Sequence, residues 1–510
     1  MPESQAEVIA FLSDPATHAG RPVQRFDTHA SVVFLAGGDA LKLKRAVRYP
    51  YLDFSTVEKR HAAALAELAA NRAAAPQIYL GLLAVTRAPS GALQLGGDGP
   101  AIDWLVHMRR FDENSTFDAL AARGELTADR IDRTADAIAA LHAVAPVRRE
   151  ASASASAAEL AAENAALLAA APSGALDPVQ VGELRRRTQA AVQSVAPLLD
   201  RRRADGTVRR GHGDLHLRNV CLADGVPTLF DALEFDERLA TTDVLYDVAF
   251  LLMDLWHRGL RDLANRLLNR YLERTRDLDG LAALPLFLSL RATIRAHVAL
   301  AAGGQGVDAA GAVREARSYL GLAVELLASA PPMLVAIGGW SGTGKTTQAR
   351  LLAPAIGRPP GAVILRSDVT RKRLLGAPEL RRLGPEGYVA PVTERVYAEL
   401  VRDAGRCLRG GQAVILDAVS ARPAERAAFA AAAAALQVPF RGFWLEAGTA
   451  ARVDRVDGRR GDASDADAAL ARRQESFDPG PIEWQRIDAA GEPTRIAAGI
   501  AARLKAEPKP

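Results

Sequence analysis

The sequence predicts two folding modules: a mixed α+β module with a strand-rich start and a long helical remainder, then an α/β module with a mostly parallel sheet flanked by helices. Three observations carry this. The chain has 510 residues, more than one hydrophobic core ordinarily organises. Its apolar periodicity is two-residue in 31–44, helical over much of 115–329, then alternates between short strands and helices after 333. Pro331-Pro332 ends the helical run and marks a linker. The expected domains are 1–330, divided into lobes of about 1–110 and 111–330, and 331–510.

Hydrophobic content of 49% and charged content of 24% are ordinary for a globular protein. The net charge is only +4, and no Lys/Arg block argues for nucleic acid. Cys221 and Cys407 are far apart, which disfavours a disulfide framework and fits a reducing compartment. The start, MPESQAEVIAFL, lacks a basic region followed by an apolar core, so no signal peptide is expected. The most apolar segment, 281–304, is broken by Arg291, Arg295 and His297. These features together predict a cytoplasmic protein without membrane contact.

Residues 4–14 read as a short helix. Gly37-Gly38-Asp39 separates two alternating runs, so 31–35 and 40–44 form a hairpin. Lys42 and Lys44 fall on one face of its second strand. A helix follows over 55–75, with Ser55 as its cap and Glu58 completing a capping box. That explains Glu58 and leaves Glu67 as the carboxylate free to meet a lysine, with an ordinary exposed helix glutamate as the alternative. Strands are expected over 76–96 and 101–111, with a hinge near Phe111. Helices are expected over 115–145, 153–171 and 177–203. The second is Ala-rich and therefore helical rather than disordered. The Arg201-Arg202-Arg203 run at the end of the third reads as a solvated face.

The centre of the first module is 211–231, GHGDLHLRNVCLADGVPTLFD. Four residues separate Asp214 from Asn219, and the intervening VCLADGVPTLFD reads as a hairpin that returns Asp231 beside Asn219. His212, Asp214 and Asn219 have the H-x-D-x-x-x-x-N spacing of the protein-kinase catalytic loop, with Gly213 where Arg is usual. In phosphoryl transfer a carboxylate accepts the substrate hydroxyl proton, while an amide oxygen and a second carboxylate hold Mg²⁺ against the nucleotide phosphates. Asp214 suits the first role; Asn219 and Asp231 suit the second. A strand lysine must then hold the α- and β-phosphates, and Lys42 and Lys44 both qualify.

HGDLHLRN followed by LFDALEFDERLATTDVLYDVAFLLMDL resembles the aminoglycoside phosphotransferase family. The resemblance covers about 1–325 and is specific in 205–255. It implies a bilobal protein-kinase-like fold and phosphorylation of hydroxyls on small molecules. It favours Lys44 as the phosphate lysine and Glu67 as its partner, and it places His212 in the catalytic group. It also implies that acids after Asp231 (Glu234, Asp236, Glu237, Asp243, Asp247, Asp254) partly line a substrate site suited to a polyamine-like cation. A structural role for them is an equal alternative, and Asp247 is expected to brace the catalytic loop. Helices over 259–277, 281–302 and 308–329 would complete the lobe.

After the linker, MLVAIGGWSGTGKTTQARLLA reads as strand, Gly-rich loop and helix. Gly339-Trp340-Ser341-Gly342-Thr343-Gly344-Lys345-Thr346 fits G-x-x-x-x-G-K-[ST], followed by Thr347. Glycine lets backbone N–H groups approach phosphate, Lys345 reaches the β/γ oxygens and Thr346 holds Mg²⁺ at a helix N-terminus. Strands at 362–368, 412–418 and 440–447 follow. Asp417 ends the second and suits Mg²⁺ or its waters. The Arg-rich segment 451–475 suits a lid, with Arg452, Arg455, Arg459 and Arg460 as phosphate clamps or, alternatively, as a solvated charged helix. This half resembles the small P-loop kinases of the gluconate kinase, adenylylsulfate kinase and zeta-toxin group. That resemblance gives Asp368 the role of orienting or deprotonating an acceptor hydroxyl; capping a helix from Val369 is the alternative.

The expectation is a bifunctional ATP- and Mg²⁺-dependent phosphotransferase acting on small-molecule hydroxyls. Two other classes remain: a regulatory protein in which one module senses nucleotide, and a P-loop kinase acting on nucleic-acid ends. Completeness of both motifs disfavours the first. An aromatic content of 5% gives little stacking surface for the second.

Overall fold

The structure, a computed structural model, describes every residue except 1–4, 29, 50–51, 151, 235, 304–307, 459–460 and 506–510. Arg459 and Arg460 thus lie outside the described residues. The chain packs as two compact units, 1–157 with 199–254, and 158–198 with 255–510. These units do not divide at the Pro331-Pro332 linker; the chain of 255–329 packs with the segment that follows it.

In the first unit, α1 (Ala6–Ser13) precedes β1 (Val23–Asp27), β2 (Ser31–Ala36) and β3 (Asp39–Lys44). The two-residue strands β4 (Arg48–Tyr49) and β5 (Leu52–Asp53) lead to α2 (Val57–Arg72), then β6 (Tyr79–Arg87), β7 (Leu93–Leu95) and β8 (Ala101–Arg109). The main sheet has the order β1-β2-β3-β8-β6-β7. Its inner face is apolar because Val32, Phe34, Leu41, Leu43, Val85 and Leu105 alternate inward against Val8 and Leu12 of α1. The hairpin register pairs Val33 with Lys42 and Ser31 with Lys44, which fixes both lysines on the face toward α2.

The expected Ser55 cap is corrected: α2 starts one residue later, and Thr56 Oγ1 accepts the cap bond from Lys59 N. Ser55 Oγ is engaged elsewhere, donating to Asp53. The expected helix over 115–145 is two helices, α3 (Phe117–Ala122) and α4 (Ala128–Val144). Gly124 at φ +70° ends the first, and Thr127 caps the second. After α5 (Ala153–Ala169) and α6 (Pro178–Ala204), β9 (Val208–Arg210) enters the central stretch. There β10 (Val220–Ala223) and β11 (Val226–Leu229) form the expected hairpin, with Val220 opposite Leu229. Next come α7 (Glu237–Ala240), β12 (Thr241–Asp243), paired with β9, and α8 (Val244–His257). The Arg run is corrected in part. Arg202 is buried and makes a two-pronged ion pair with Asp243 at 2.7 and 2.8 Å.

In the second unit, α9 (Arg261–Thr275), α10 (Leu284–Gly303) and α11 (Ala309–Leu326) precede the α/β part. The segment 279–303 is long and apolar enough to cross a membrane, but two thirds (67%) of an 18-residue apolar stretch within it is buried, as in a core helix. Then come β13 (Leu334–Gly339), α12 (Lys345–Leu352), β14 (Val363–Arg366), α13 (Ser367–Leu374), α14 (Ala390–Arg409) and β15 (Val414–Asp417). The chain ends with α15 (Pro423–Ala435), β16 (Phe440–Glu446), α16 (Thr449–Asp457), α17 (Ala468–Arg473), β17 (Gln485–Asp488) and α18 (Pro493–Lys505). All four pairings in the sheet β14-β15-β13-β16-β17 are parallel. Val335, Ile337, Ile415, Phe443 and Leu445 fill its core against α12 and α18. The near-continuous apolar strands follow from burial on both faces.

Candidate functional sites

In the first unit, β3, α2 and the β10–β11 hairpin converge on one charge cluster. Lys42 Nζ lies 2.9 Å from Glu67 Oε1 and 2.8 Å from Asp231 Oδ1. Lys44 Nζ lies 2.5 Å from Glu67 Oε2 and also pairs with Glu234. Both lysines that the alternation left open therefore grip the same helix carboxylate, from its two oxygens. They differ in what else they meet. The Lys42 side chain keeps 15% exposure and faces Asp231, whereas that of Lys44 keeps 2% and is closed off by Glu234. Burial favours the neutral acid at Glu67, but the two ammonium groups hold it well below the usual carboxylate range, at about 2. Burial opposes the charge on Lys42, yet Asp231 and Glu67 keep it firmly protonated.

The hairpin sets the second half of the site. Phe230 N donates to Asn219 O at 3.0 Å, so Asp231 follows directly from the residue paired with Asn219. Asn219 Nδ2 donates to Asp214 O at 2.8 Å and to Asp214 Oδ2 at 3.0 Å. That fixes the amide so that its oxygen is left for other partners. Asp231 sits at φ +58°, a left-handed geometry that a non-glycine residue adopts at some cost. Its N–H donates to Tyr79 Oη at 3.1 Å, and Ala232 N donates to Asn71 Oδ1 at 2.7 Å. Tyr79 and Asn71 thus clamp the strained turn.

His212 is buried, and its Nε2 meets Phe230 O at 2.9 Å. A carbonyl only accepts, so Nε2 carries the proton; burial lowers the ring's pKa and keeps it neutral. His212 therefore ties the loop to the residue before Asp231. Asp247 accepts from His212 N and Gly213 N, both at 2.8 Å, and faces His142 Nε2 at 3.0 Å. One buried carboxylate thereby holds the turn that presents Asp214. Gly213 has φ +80°, and a Cβ there would meet Leu233 and Ala240, so Arg does not fit this position.

The acids expected to line a cationic substrate site are instead engaged internally. Glu234 pairs with Lys44, Asp236 caps α7, Glu237 pairs with Arg210 and Asp243 with Arg202. Asp254 accepts from Leu217 N at 3.0 Å. The structural alternative accounts for each of them.

In the second unit, Lys345 Nζ folds back on Gly339 O and Trp340 O at 2.9 and 3.1 Å. Thr346 Oγ1 donates to Asp417 Oδ2 at 2.6 Å, joining the two predicted metal-facing groups. Gly339, Gly342 and Gly344 have φ of +132°, +86° and +90°, conformations that favour glycine. Ser341 N donates to Gln474 Oε1 at 2.8 Å, and Trp340 packs edge-on against Trp444. Thr343 Oγ1 donates to Trp340 O at 2.8 Å, and Thr347 lies in the first turn of α12.

Asp368 lies inside the first turn of α13, whose N-cap is Arg366, so the capping alternative is overturned. Burial raises its carboxyl, while Arg366 and a hydrogen bond from Ser464 oppose the shift. Arg366 Nη2 meets both oxygens of Asp462 at 2.9 and 3.0 Å, and its Nε stands 3.5 Å from Asp417. The two described lid arginines are not a solvated face. Arg452 is 3% exposed, and Arg455 donates to Ala489 O at 2.8 Å.

Asn71, Tyr79, Arg366 and Gln474 carry no signal in the sequence, and Glu234 is expected among the acids after Asp231 but not as the partner of Lys44. Each acts across a large separation, and no local spacing marks it.

Both sites suit a divalent cation. Among the described residues no three His, Cys, Asp or Glu side chains gather to hold a metal alone. If a cation is held, Asn219 with Asp231, or Thr346 with Asp417, would supply two oxygen ligands and phosphate oxygens the rest.

Residues 35–284 match the phosphotransferase enzyme family, and residues 334–479 match the AAA domain. Uncharacterized proteins of Mycobacterium tuberculosis and Mycobacterium bovis are 32% identical over 482 residues, 91% of this chain and 92% of theirs. A choline/ethanolamine kinase family protein from Mesorhizobium loti is similar over 63% of this chain and 98% of its own, at 15% identity and TM-score 0.37. A gluconokinase from Sinorhizobium meliloti is similar over 35% of this chain and 95% of its own, at 20% identity and TM-score 0.25. The chain belongs to the family of these mycobacterial proteins and joins a phosphotransferase-family domain to a P-loop kinase domain.

Proposed function

We propose that the chain is a tandem ATP-dependent phosphotransferase, with each module acting on a small-molecule hydroxyl. The reading of the first site rests on Lys42, which joins α2 to the hairpin through Glu67 and Asp231. Of the two lysines, Lys42 is assigned to the α- and β-phosphates, because it alone pairs with Asp231 and retains exposure. Lys44 is assigned to holding Glu67 and Glu234. Asp214, kept in place by Asn219, accepts the acceptor's hydroxyl proton as its oxygen bonds to the γ-phosphorus and the bond to ADP breaks. A cation on Asn219 and Asp231 would neutralise charge on the phosphates. In the second site Lys345 leaves its loop carbonyls for phosphate, Thr346 and Asp417 face the cation, and Asp368 meets the second acceptor. Arg455 Nη1 reaches Gly342 O of the phosphate loop at 3.5 Å and so supports the loop, while the Arg452 side chain bonds Thr449 Oγ1 within α16.

The internal pairing of the acids after Asp231 removes the main support for a polyamine acceptor at the first site. A mass-spectrometric screen of the full-length protein with MgATP against sugars, sugar acids, amino alcohols and nucleosides tests the function. Asp214→Asn should lose one phosphorylated product and Lys345→Ala another. Unchanged products in both variants would refute the tandem reading.

A further inference from the structure

The strand β14 is the edge of the P-loop sheet and, among the described residues, pairs only with β15. An edge strand leaves half of its backbone groups without a ladder partner. Here a helix supplies partners for Ile364 N and for the carbonyls just before the strand. Asn269 Oδ1 accepts from Ile364 N at 2.7 Å, and Asn269 Nδ2 donates to Ala362 O at 3.2 Å. One turn earlier on α9, Asn265 Nδ2 donates to Pro360 O and Ala362 O at 3.1 and 3.0 Å. Asn265 is 2% exposed, and a Cβ at Gly361 would stand 2.8 Å from its Nδ2, so the approach leaves no slack.

The same helix holds the neighbouring loop. Arg270 Nη1 pairs with Glu379 Oε2 at 2.7 Å. Glu379 O accepts from Lys372 Nζ at 2.8 Å, and Lys372 pairs with Asp465, which also accepts from Tyr388 Oη. Further along, Arg276 pairs with Asp403, and Asp279 pairs with Arg406 at 2.7 Å. Asp368 follows β14 by two residues.

We infer that α9, although it lies within the segment matched to the phosphotransferase family, is a positioning element of the P-loop site. Asn265 and Asn269 fix the edge strand that aims Asp368, and Arg270 fixes the loop beside it. The inference rests on the catalytic reading of the P-loop module. It makes that module's chemistry dependent on side chains from the other family's segment.

The test uses the full-length protein and MgATP alone. The part of ATP hydrolysis lost in Lys345→Ala defines turnover at the P-loop site. Asn269→Ala should lower kcat for that part by about ten- to hundredfold, as expected for misplaced catalytic groups. The KM for MgATP should stay within about twofold, because the phosphate loop leaves the central strand β13 rather than β14. Asn269→Ala added to Asp368→Asn should cost nothing further, since both act through one group. An unchanged kcat in Asn269→Ala overturns the inference while leaving the proposed function standing. So does a parallel fall of kcat, MgATP affinity and melting temperature, which would make α9 mere scaffolding. If Lys345→Ala loses no hydrolysis, the function proposed for the P-loop site falls, and the inference falls with it.

Discussion

Lys42 Nζ stands 2.8 Å from Asp231 Oδ1, joining a residue of the N-terminal sheet to the turn after the β10–β11 hairpin. The contact spans 189 residues of sequence and, under the proposed function, forms the end of the site that would face the phosphates. It also separates the roles of the two lysines. Lys42→Ala should reduce transfer at the first site by roughly 10²–10³-fold, the scale of losing one preorganised electrostatic contact. Its stability cost should be small, because Lys44 still neutralises Glu67. Lys44→Ala strands Glu234 in a buried place and should cost about 3–5 kcal/mol of stability. Steady-state kinetics and urea melts of both variants check the contrast. The reverse pattern would return the phosphate role to Lys44.

Asp247 accepts two backbone N–H groups of the catalytic turn, at His212 and Gly213. Asp247→Asn keeps the size but puts an NH₂ group where one acceptor stood. One buried N–H then loses its partner, which costs about 1–3 kcal/mol. The turn presenting Asp214 should loosen. Expected are a lower kcat at the first site, an unchanged KM for ATP and faster amide exchange at Gly213. A variant with full kcat would show that the loop holds its shape without this carboxylate.

The two motif loops were legible because they are local. H-x-D-x-x-x-x-N, the hairpin to Asp231 and the Walker loop are runs of adjacent residues whose types and intervals can be read without knowing the fold. Glu67 could be named because capping accounted for Glu58, although the cap itself is Thr56. What could not be read is what pairs across the fold. Period-2 alternation puts Lys42 and Lys44 on one face, and only the position of the Asp231 turn distinguishes them. The acids after Asp231 resembled a substrate surface until Arg202, Arg210 and Lys44 were found opposite them. The ties from Asn265 to the residues just before β14 and from Asn269 to β14 itself join segments some 95 residues apart, and nothing in either segment announces the other.

Acid should weaken the first unit through Glu67. Its ordinary value is 4.5; burial would raise it, but Lys42 and Lys44 hold it at about 2 in the folded protein. A lowered folded pKa means stability that is fully present above the unfolded value and lost as pH falls through the folded one. The advantage of wild type over Glu67→Gln should therefore be complete above about pH 5 and shrink between 4.5 and about 2. Urea midpoints of the two proteins across pH 2.5–6 give the difference directly. A constant difference over that range would mean that Glu67 is not held ionised by the lysines.

The tightest point of the phosphate loop is Gly342. It sits at φ +86°, and a Cβ there would come within 2.4 Å of Arg452 O and 2.8 Å of Arg452 Cα. Those are backbone atoms, so no side chain can swing aside. Gly342→Ala must therefore displace either the loop or the start of α16, on top of about 1–2 kcal/mol for the left-handed backbone. Gly344 offers the comparison. It has φ +90°, but nothing lies within 4 Å of its Cβ position, so Gly344→Ala meets backbone strain without a clash. Gly342→Ala should thus lose ATP binding at the P-loop site more completely than Gly344→Ala, with the first site still filled. Calorimetric titration of MgATP into the full-length variants would show one site remaining in the former and a weakened second site in the latter. Equal binding by both variants would mean that the loop stands further from α16 in solution than its contact with Arg452 requires.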